Sequence, residues 1–221
     1  MTIEIVNPKI EEYLRDLLVP EPDDVRREME AEAEERGFPI VEAHVGLTME
    51  LLARAIGARR VFEMGSGYGY SAYWFARAVG PEGEVHMTEG DAGNQDKAVA
   101  YLGRAGLGDR VRSHVGNALD IIEEVEGDFD VVFCDIDKGD YPTAWEKARD
   151  RVRAGGLYLC DNVLWSGRVA EENVAEDVAP GWTDAIRAHN QAIVADDRYH
   201  ATILPIRDGV MVALRTGSRN D

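Results

Sequence analysis

The chain has 221 residues, 42 of them acidic against 24 basic, for a net charge of −18. That length suits one well-buried domain and leaves little for a second. The acidity argues against nucleic-acid binding, which needs a basic footprint to neutralise phosphates, and no run approaches the roughly 20 apolar residues of a membrane span.

The opening MTIEIVNPKIEEYLRDLL carries acids among its apolar residues, so it does not read as a secretory signal, and a cytoplasmic protein is expected. Helical patterns around Ile10–Leu18, Asp23–Arg36 and His44–Ile56 form an N-terminal extension over residues 1–56. Short apolar, β-branched runs then alternate with helical ones across 60–215. Strands are predicted at Arg60–Gly65, Glu84–Glu89, Val111–Val115, Phe129–Asp135 and Leu157–Asp161, with helices at Ser71–Val79, Asp91–Ala105, Ala118–Glu124, Tyr141–Val152 and Trp182–Ala195. Two further strands, Ala201–Ile206 and Val210–Arg215, meet through Asp208-Gly209 as a hairpin, so one end of the sheet is expected to be antiparallel. This alternation predicts a Rossmann-like, doubly wound α/β fold, with helices on both faces of a mostly parallel sheet, as a single domain over 1–221.

Lysine is scarce: Lys9, Lys97, Lys138 and Lys147 stand among the 24 basic residues. With acids spread along the whole chain, this balance is that of a halophilic protein from a high-salt cytoplasm. Cys134 and Cys160 are too few for a disulfide framework; in apolar strands they read as buried free thiols rather than a disulfide. The five histidines show no metal-ligand spacing.

Residues 61–71, VFEMGSGYGYS, run from a buried strand through Gly65, Gly67 and Gly69 into a helix near Ser71. Such a turn lets a ligand approach the backbone, although a plain strand-to-helix turn has the same pattern. Tyr70 stands where the dinucleotide fingerprint requires its third glycine, so NAD fits badly. No Lys-Ser/Thr pair follows, which excludes a P-loop. The acid Glu63 suits a ligand with a cationic amino-acid end, such as S-adenosylmethionine. Glu89, twenty residues past Gly69, ends the second strand where a carboxylate accepts ribose hydroxyls. Gly116-Asn117-Ala118 leaves room for a flat adenine ring.

Asp135 and Asp161 end the fourth and fifth strands in matching contexts, each preceded by Cys. On neighbouring strands about 4.8 Å apart, such carboxylates repel unless a cation lies between them or one is protonated. With the Asn162 amide they form an oxygen-only set that suits Mg²⁺ (or Mn²⁺ or Ca²⁺) and not zinc; alternatively they are plain strand-end acids. Lys138, three residues after Asp135, is either salt-bridged to Asp135, Asp137 or Asp140, or a general base that removes a hydroxyl proton. The long segment Val163–Pro180 is read as a lid over the acceptor, with Trp165 stacking on it or simply packed in the loop.

These residues resemble the cation-dependent O-methyltransferases, the group of catechol and caffeoyl-CoA O-methyltransferases. The resemblance runs from about Phe38 onward and is carried by DNVLWSGRV (Asp161–Val169), by D-x-D-K-x-x-Y (Asp135–Tyr141), by Ile186–Asn190 and by LPIRDGVMVALR. It implies a seven-stranded sheet with the last strand antiparallel. It also implies that Val41, Glu63, Gly65, Ser66 and Ser71 hold the methionine part of S-adenosylmethionine, that Glu89 binds its ribose, and that Ala118 lies at the adenine, with Asp137 also touching the cofactor. Asp135, Asp161 and Asn162 would carry the metal and Lys138 would be the base. A homodimer through the N-terminal helices and a small acceptor with adjacent oxygens are further implications. Ile136 stands where the plant enzymes carry alanine and Ser166 where they carry a substrate-holding asparagine. The competing readings are an NAD-dependent oxidoreductase, a non-catalytic binding protein on the same fold, and a methyltransferase acting on a macromolecule.

Overall fold

The computed structural model describes residues 5–171 and 179–217. Three helices come first, α1 (Pro8–Leu18), α2 (Asp24–Arg36) and α3 (Ala43–Ala55). The alternating part follows as β1 (Arg60–Met64), α4 (Tyr70–Val79), β2 (Glu84–Glu89), α5 (Ala92–Arg104), β3 (Val111–Val115), α6 (Ala118–Glu124), β4 (Phe129–Cys134), α7 (Tyr141–Ala148), β5 (Val152–Cys160), α8 (Trp182–Ala195), β6 (Tyr199–Leu204) and β7 (Val210–Arg215). Capping chemistry sets the start of α2 and α5: the Asp23 side chain accepts from the Arg26 amide at 2.8 Å, and Asp91 does the same for Asn94.

The strands form one sheet in the order β3-β2-β1-β4-β5-β7-β6. β1 to β5 are mutually parallel, whereas β7 runs antiparallel to both of its neighbours. The predicted hairpin therefore exists, with its second strand wedged beside β5 and its first left at the edge. Period-two alternation divides the core. Val61, Val131, Phe133, Leu157 and Leu159 face the layer of α2 to α5 with Met29, Met49 and Trp74. Phe62, Met64, Val132, Tyr158 and Met211 face α6 to α8 with Ile122, Trp145 and Ile186. A fully buried side chain of this size contributes about 1.5–3 kcal/mol, so Met29 of α2 and Met49 of α3 tie both helices into the core. α1 buries no residue.

β6 runs two residues earlier than expected, Tyr199–Leu204 in place of Ala201–Ile206, and the two largest departures fall between α7 and β5. The predicted helix Tyr141–Val152 stops at Ala148, and β5 begins at Val152 instead of Leu157. The Arg151 amide returns to the Ala148 carbonyl, and Phe129 takes Val152 as partner. The pairing then shifts past the glycines 155 and 156 before it resumes at Val131 and Leu157. Asp135 and Asp161 each lie one residue past their strands, and Cys134 and Cys160 are free, buried and in register with each other.

Candidate active site

A cleft of about 650 Å³ opens at the carboxyl ends of β1, β2, β4 and β5, where a parallel sheet leaves its backbone and loop groups unpaired. The turn from β1 into α4 forms one wall. Gly65 has φ 81°, and a Cβ there would overlap the carbonyl oxygen of Asp135, so only glycine lets the turn lie against the end of β4. The Ser66 amide and hydroxyl both donate to the Thr88 carbonyl, at 2.9 and 3.1 Å, which ties the turn to β2. Gly69 gives α4 no side-chain cap, so its first amides are left for other acceptors. Ser71 from that helix, Glu89 from the end of β2 and Ala118 from the start of α6 complete this half of the cleft, with Val41 arriving from the segment before α3.

Glu63 occupies a different position from the rest. It is fully buried, it does not line the cleft, and neither carboxylate oxygen has a hydrogen-bond partner. Burial pushes its pKa up to about 8. The Ser71 hydroxyl, nearby but outside hydrogen-bond geometry, opposes that shift, and the charges of Asp135 and Glu89 reinforce it.

The other half of the cleft holds Asp135, Asp137, Lys138, Asp161 and Asn162. The Asp161 amide donates to the Cys134 carbonyl at 3.1 Å, so the neighbouring strands bring the two carboxylates together as expected. Burial raises the pKa of Asp161, and the Asp135 charge raises it further. Lys138, in a 3₁₀ turn (Lys138–Asp140), donates from Nζ to Asp135 Oδ1 at 2.8 Å and lies 5.0 Å from the Tyr141 ring centroid. Burial acts to lower its pKa, but the charge and hydrogen bond of Asp135, with help from Asp161, hold it above the ordinary lysine value. The chain alone thus shows the salt bridge. Among the described residues no group of three or more His, Cys, Asp and Glu could hold a metal ion. The donors on offer are two carboxylates and an amide. Their mutual repulsion and oxygen-only chemistry fit a hard divalent cation.

The segment after β5 is bent sharply. Asn162, Trp165 and Ser166 all have positive φ, at 55, 49 and 52°, each costing about 1–2 kcal/mol for a side-chain-bearing residue. The β6–β7 turn holds this bend. The amides of Val163, Leu164 and Ser166 donate to the Gly209 carbonyl, the Asp208 carbonyl and the Asp208 carboxylate, while the Asn190 side chain donates to the Val163 carbonyl at 2.9 Å. Tyr141 donates to the Asp161 carbonyl at 2.8 Å from below. The terminal hairpin and the Asn190 region, far apart in sequence, thus form one clamp. Gly209, at φ 84°, touches Leu164 where a Cβ would stand. Gly209→Ala is expected to lower unfolding stability by about 2–4 kcal/mol, from positive-φ strain plus overpacking; a urea melt within 0.5 kcal/mol of wild type would remove the clamp.

Trp165 lines the cleft and pairs with Trp182 at 5.8 Å between ring centroids. Of the suggested lid, residues 172–178 lie outside the described residues. The structure therefore brings Val41, Gly65, Ser66, Ser71, Glu89, Ala118, Asp135, Asp137, Lys138, Asp161 and Asn162 to one cleft and puts Glu63 behind its wall. Sequence reasoning missed Trp182 and Phe38. Trp182 starts α8 and faces Gly139, and Phe38 reaches Gly67, contacts that no local pattern announces.

A sequence profile of the O-methyltransferase family matches residues 24–216. The chain is 32% identical to a catechol O-methyltransferase of Niastella koreensis, over 93% of this chain and 96% of that one. It is also 32% identical to a probable caffeoyl-CoA O-methyltransferase of Dictyostelium discoideum, over 79% and 80%. Among solved structures, the O-methyltransferase TomG from Streptomyces achromogenes, involved in tomaymycin synthesis and in complex with S-adenosylmethionine, superposes with a TM-score of 0.84 at 30% identity, covering 95% and 96% of the two chains. An O-methyltransferase from Bacillus cereus in complex with S-adenosylhomocysteine gives 0.83 at 29%, covering 94% and 97%.

Proposed function

This chain belongs to the O-methyltransferase family, and we propose that it uses S-adenosylmethionine and a divalent cation such as Mg²⁺ to methylate one hydroxyl of a small, catechol-like acceptor with adjacent oxygens. The observation that carries this reading is the cleft itself. Its glycine turn and ribose-type acid lie on one side, and the two carboxylates, amide and lysine on the other.

Gly65, Ser66, Ser71 and Val41 would hold the methionine end of the cofactor, with its carboxylate at the uncapped start of α4, while Glu89 would take the ribose, Ala118 the adenine and Asp137 a further contact. Asp135, Asp161 and Asn162 would hold the cation. When bound, the cofactor supplies an activated methyl group, and the cation favours the ionised form of a hydroxyl. Trp165 and Trp182 line the cleft and would flank a bound acceptor. Lys138 is the base. Pairing with Asp135 keeps it protonated; with Asp135 engaged as a cation ligand, burial would favour the neutral amine, and Nζ would accept the hydroxyl proton. Positioning of the acceptor supplies much of the rate, since the methyl donor needs no further activation.

Three companion proposals follow from the surface. Ile10, Tyr13, Leu17 and Leu18 expose apolar side chains on α1, and Leu51 does so on α3; a second copy of the chain is proposed to cover them, and a monomer mass in light scattering at micromolar concentration would remove the idea. The charge of −18 and the scarcity of lysine support a halophilic protein that loses structure on dilution from molar salt. No described helix is long and apolar enough to cross a membrane, in keeping with the proposed cytoplasmic setting.

The test is methyl transfer from S-adenosylmethionine to a panel of catechols in high salt, with Mg²⁺ and with a chelator. Turnover with Mg²⁺ that vanishes with the chelator is expected. Turnover indifferent to the chelator removes the cation, and no turnover with any catechol removes the acceptor class.

A further inference from the structure

A buried polar chain runs beneath the bend after β5, through side chains that the reaction itself does not use. His189 of α8 is fully buried, and each ring nitrogen has a partner. Nε2 meets the Tyr158 hydroxyl of β5 at 3.0 Å, and Nδ1 meets Asn190 Oδ1 at 3.1 Å. The Asn190 amide nitrogen in turn reaches the Val163 carbonyl at 2.9 Å. The Tyr141 ring lies 5.2 Å from the imidazole, and its hydroxyl donates to the Asp161 carbonyl. Asn162, at φ 55°, is thus framed on both sides, with the Asp161 carbonyl taken by Tyr141 and the Val163 carbonyl by Asn190.

The direction of every bond in this chain follows from its last acceptor. A backbone carbonyl only accepts, so Asn190 must turn its NH₂ to Val163 and its Oδ1 to His189. An amide oxygen only accepts as well, so Nδ1 of the imidazole carries a proton. Burial keeps the ring neutral. Nε2 is therefore bare, and the Tyr158 hydroxyl donates to it. Reversing any one link would set two acceptors or two donors against each other, so the chain has a single arrangement.

A positive φ at a side-chain-bearing residue persists only where its surroundings over-determine it. We propose that His189 is a positioning residue for the cation site. Its Nδ1–H orients Asn190, Asn190 holds the Val163 carbonyl, and the strained turn so fixed keeps Asp161 and Asn162 at the cleft before a cation arrives. This rests on the divalent-cation reading above. The effect belongs to one half of the cleft: every bond in the chain joins β5, the bend, α7 or α8, whereas the glycine turn and Glu89 belong to β1 and β2.

The experiment is calorimetric titration of the whole chain with Mg²⁺, with S-adenosylhomocysteine present throughout, for the wild type, His189→Leu, Asn190→Ala and the double variant. Each single substitution is expected to weaken Mg²⁺ binding about tenfold, at the low end for residues that orient metal ligands. The Kd for S-adenosylhomocysteine should stay within about twofold. Because His189 acts through Asn190, the double variant should bind Mg²⁺ no more weakly than Asn190→Ala alone. Nitrogen NMR of the wild type, which needs no variant to fold, should show His189 protonated on Nδ1 and bare on Nε2 at neutral pH. A proton on Nε2 overturns the inference. So does a His189→Leu chain with wild-type Mg²⁺ affinity, an equal loss of S-adenosylhomocysteine affinity, or a double variant weakened by the product of the two single effects; each leaves the cation reading standing. A folded wild type that takes up no Mg²⁺ overturns both.

Discussion

Lys138→Ala is expected to lower kcat by about 10²- to 10⁴-fold, the range typical of a positioned general base, while the Kd for S-adenosylhomocysteine stays within about twofold. The side chain lines the cleft and gives its hydrogen bond to Asp135, not to a residue of the glycine turn. Lys138→Arg separates the two roles left open by the sequence. A guanidinium keeps the ion pair with Asp135 but cannot be deprotonated in this range. If Lys138 merely neutralises Asp135, arginine restores most of the turnover; if Nζ accepts the proton, arginine is as slow as alanine. Wild-type-like kcat in the alanine variant would falsify the base assignment.

Asp161→Asn is expected to cost turnover about 10³-fold, several kcal/mol of lost cation assistance, and to abolish the rise in Tm that Mg²⁺ confers on the wild type. Without a cation the same substitution should be stabilising at pH 8. Burial and the Asp135 charge raise the folded-state pKa of Asp161. An acid with a raised pKa binds more protons folded than unfolded, so its contribution is favourable at low pH and lost as pH rises through the folded value. The amide removes that cost and still offers an oxygen to the Asn162 amide, now met by Asp161 Oδ1 at 2.8 Å. Melting curves at pH 8 with chelator and with Mg²⁺ read both signs at once; a variant less stable than wild type in chelator would count against the repulsion between Asp135 and Asp161.

Much of this site was legible because its signals are local. The glycine turn at 65–69 announces itself by residue type, since positive φ and close backbone approach admit few alternatives. Asp135 and Asp161 were recognisable as partners because each ends an apolar run at the same offset after a cysteine, and parallel pairing of those runs brings matching offsets together. Glu63 shows the boundary of such reasoning. Its place inside β1 marked it as special, but period-two alternation alone could not say that it would face the α2–α5 layer without a partner. The early start of β5 was hidden because Arg153-Ala154-Gly155-Gly156 is weak in β-propensity, and the strand reaches back to Val152 only through pairing with Phe129 across the sheet.

What the sequence determined by itself is the alternation of strands and helices, the glycine turn, and the offsets of the two aspartates, the asparagine and the lysine, all set by steric and polar preferences within a few residues. Only the tertiary structure decided that β7 enters between β5 and β6, and hence that Asp208 and Gly209 lie under the strained bend at 162–166. The same is true of the meeting of Trp165 with Trp182 and of the burial of Glu63 behind the cleft wall. Each of these depends on packing between segments tens of residues apart, where no residue's own conformational preference selects the partner.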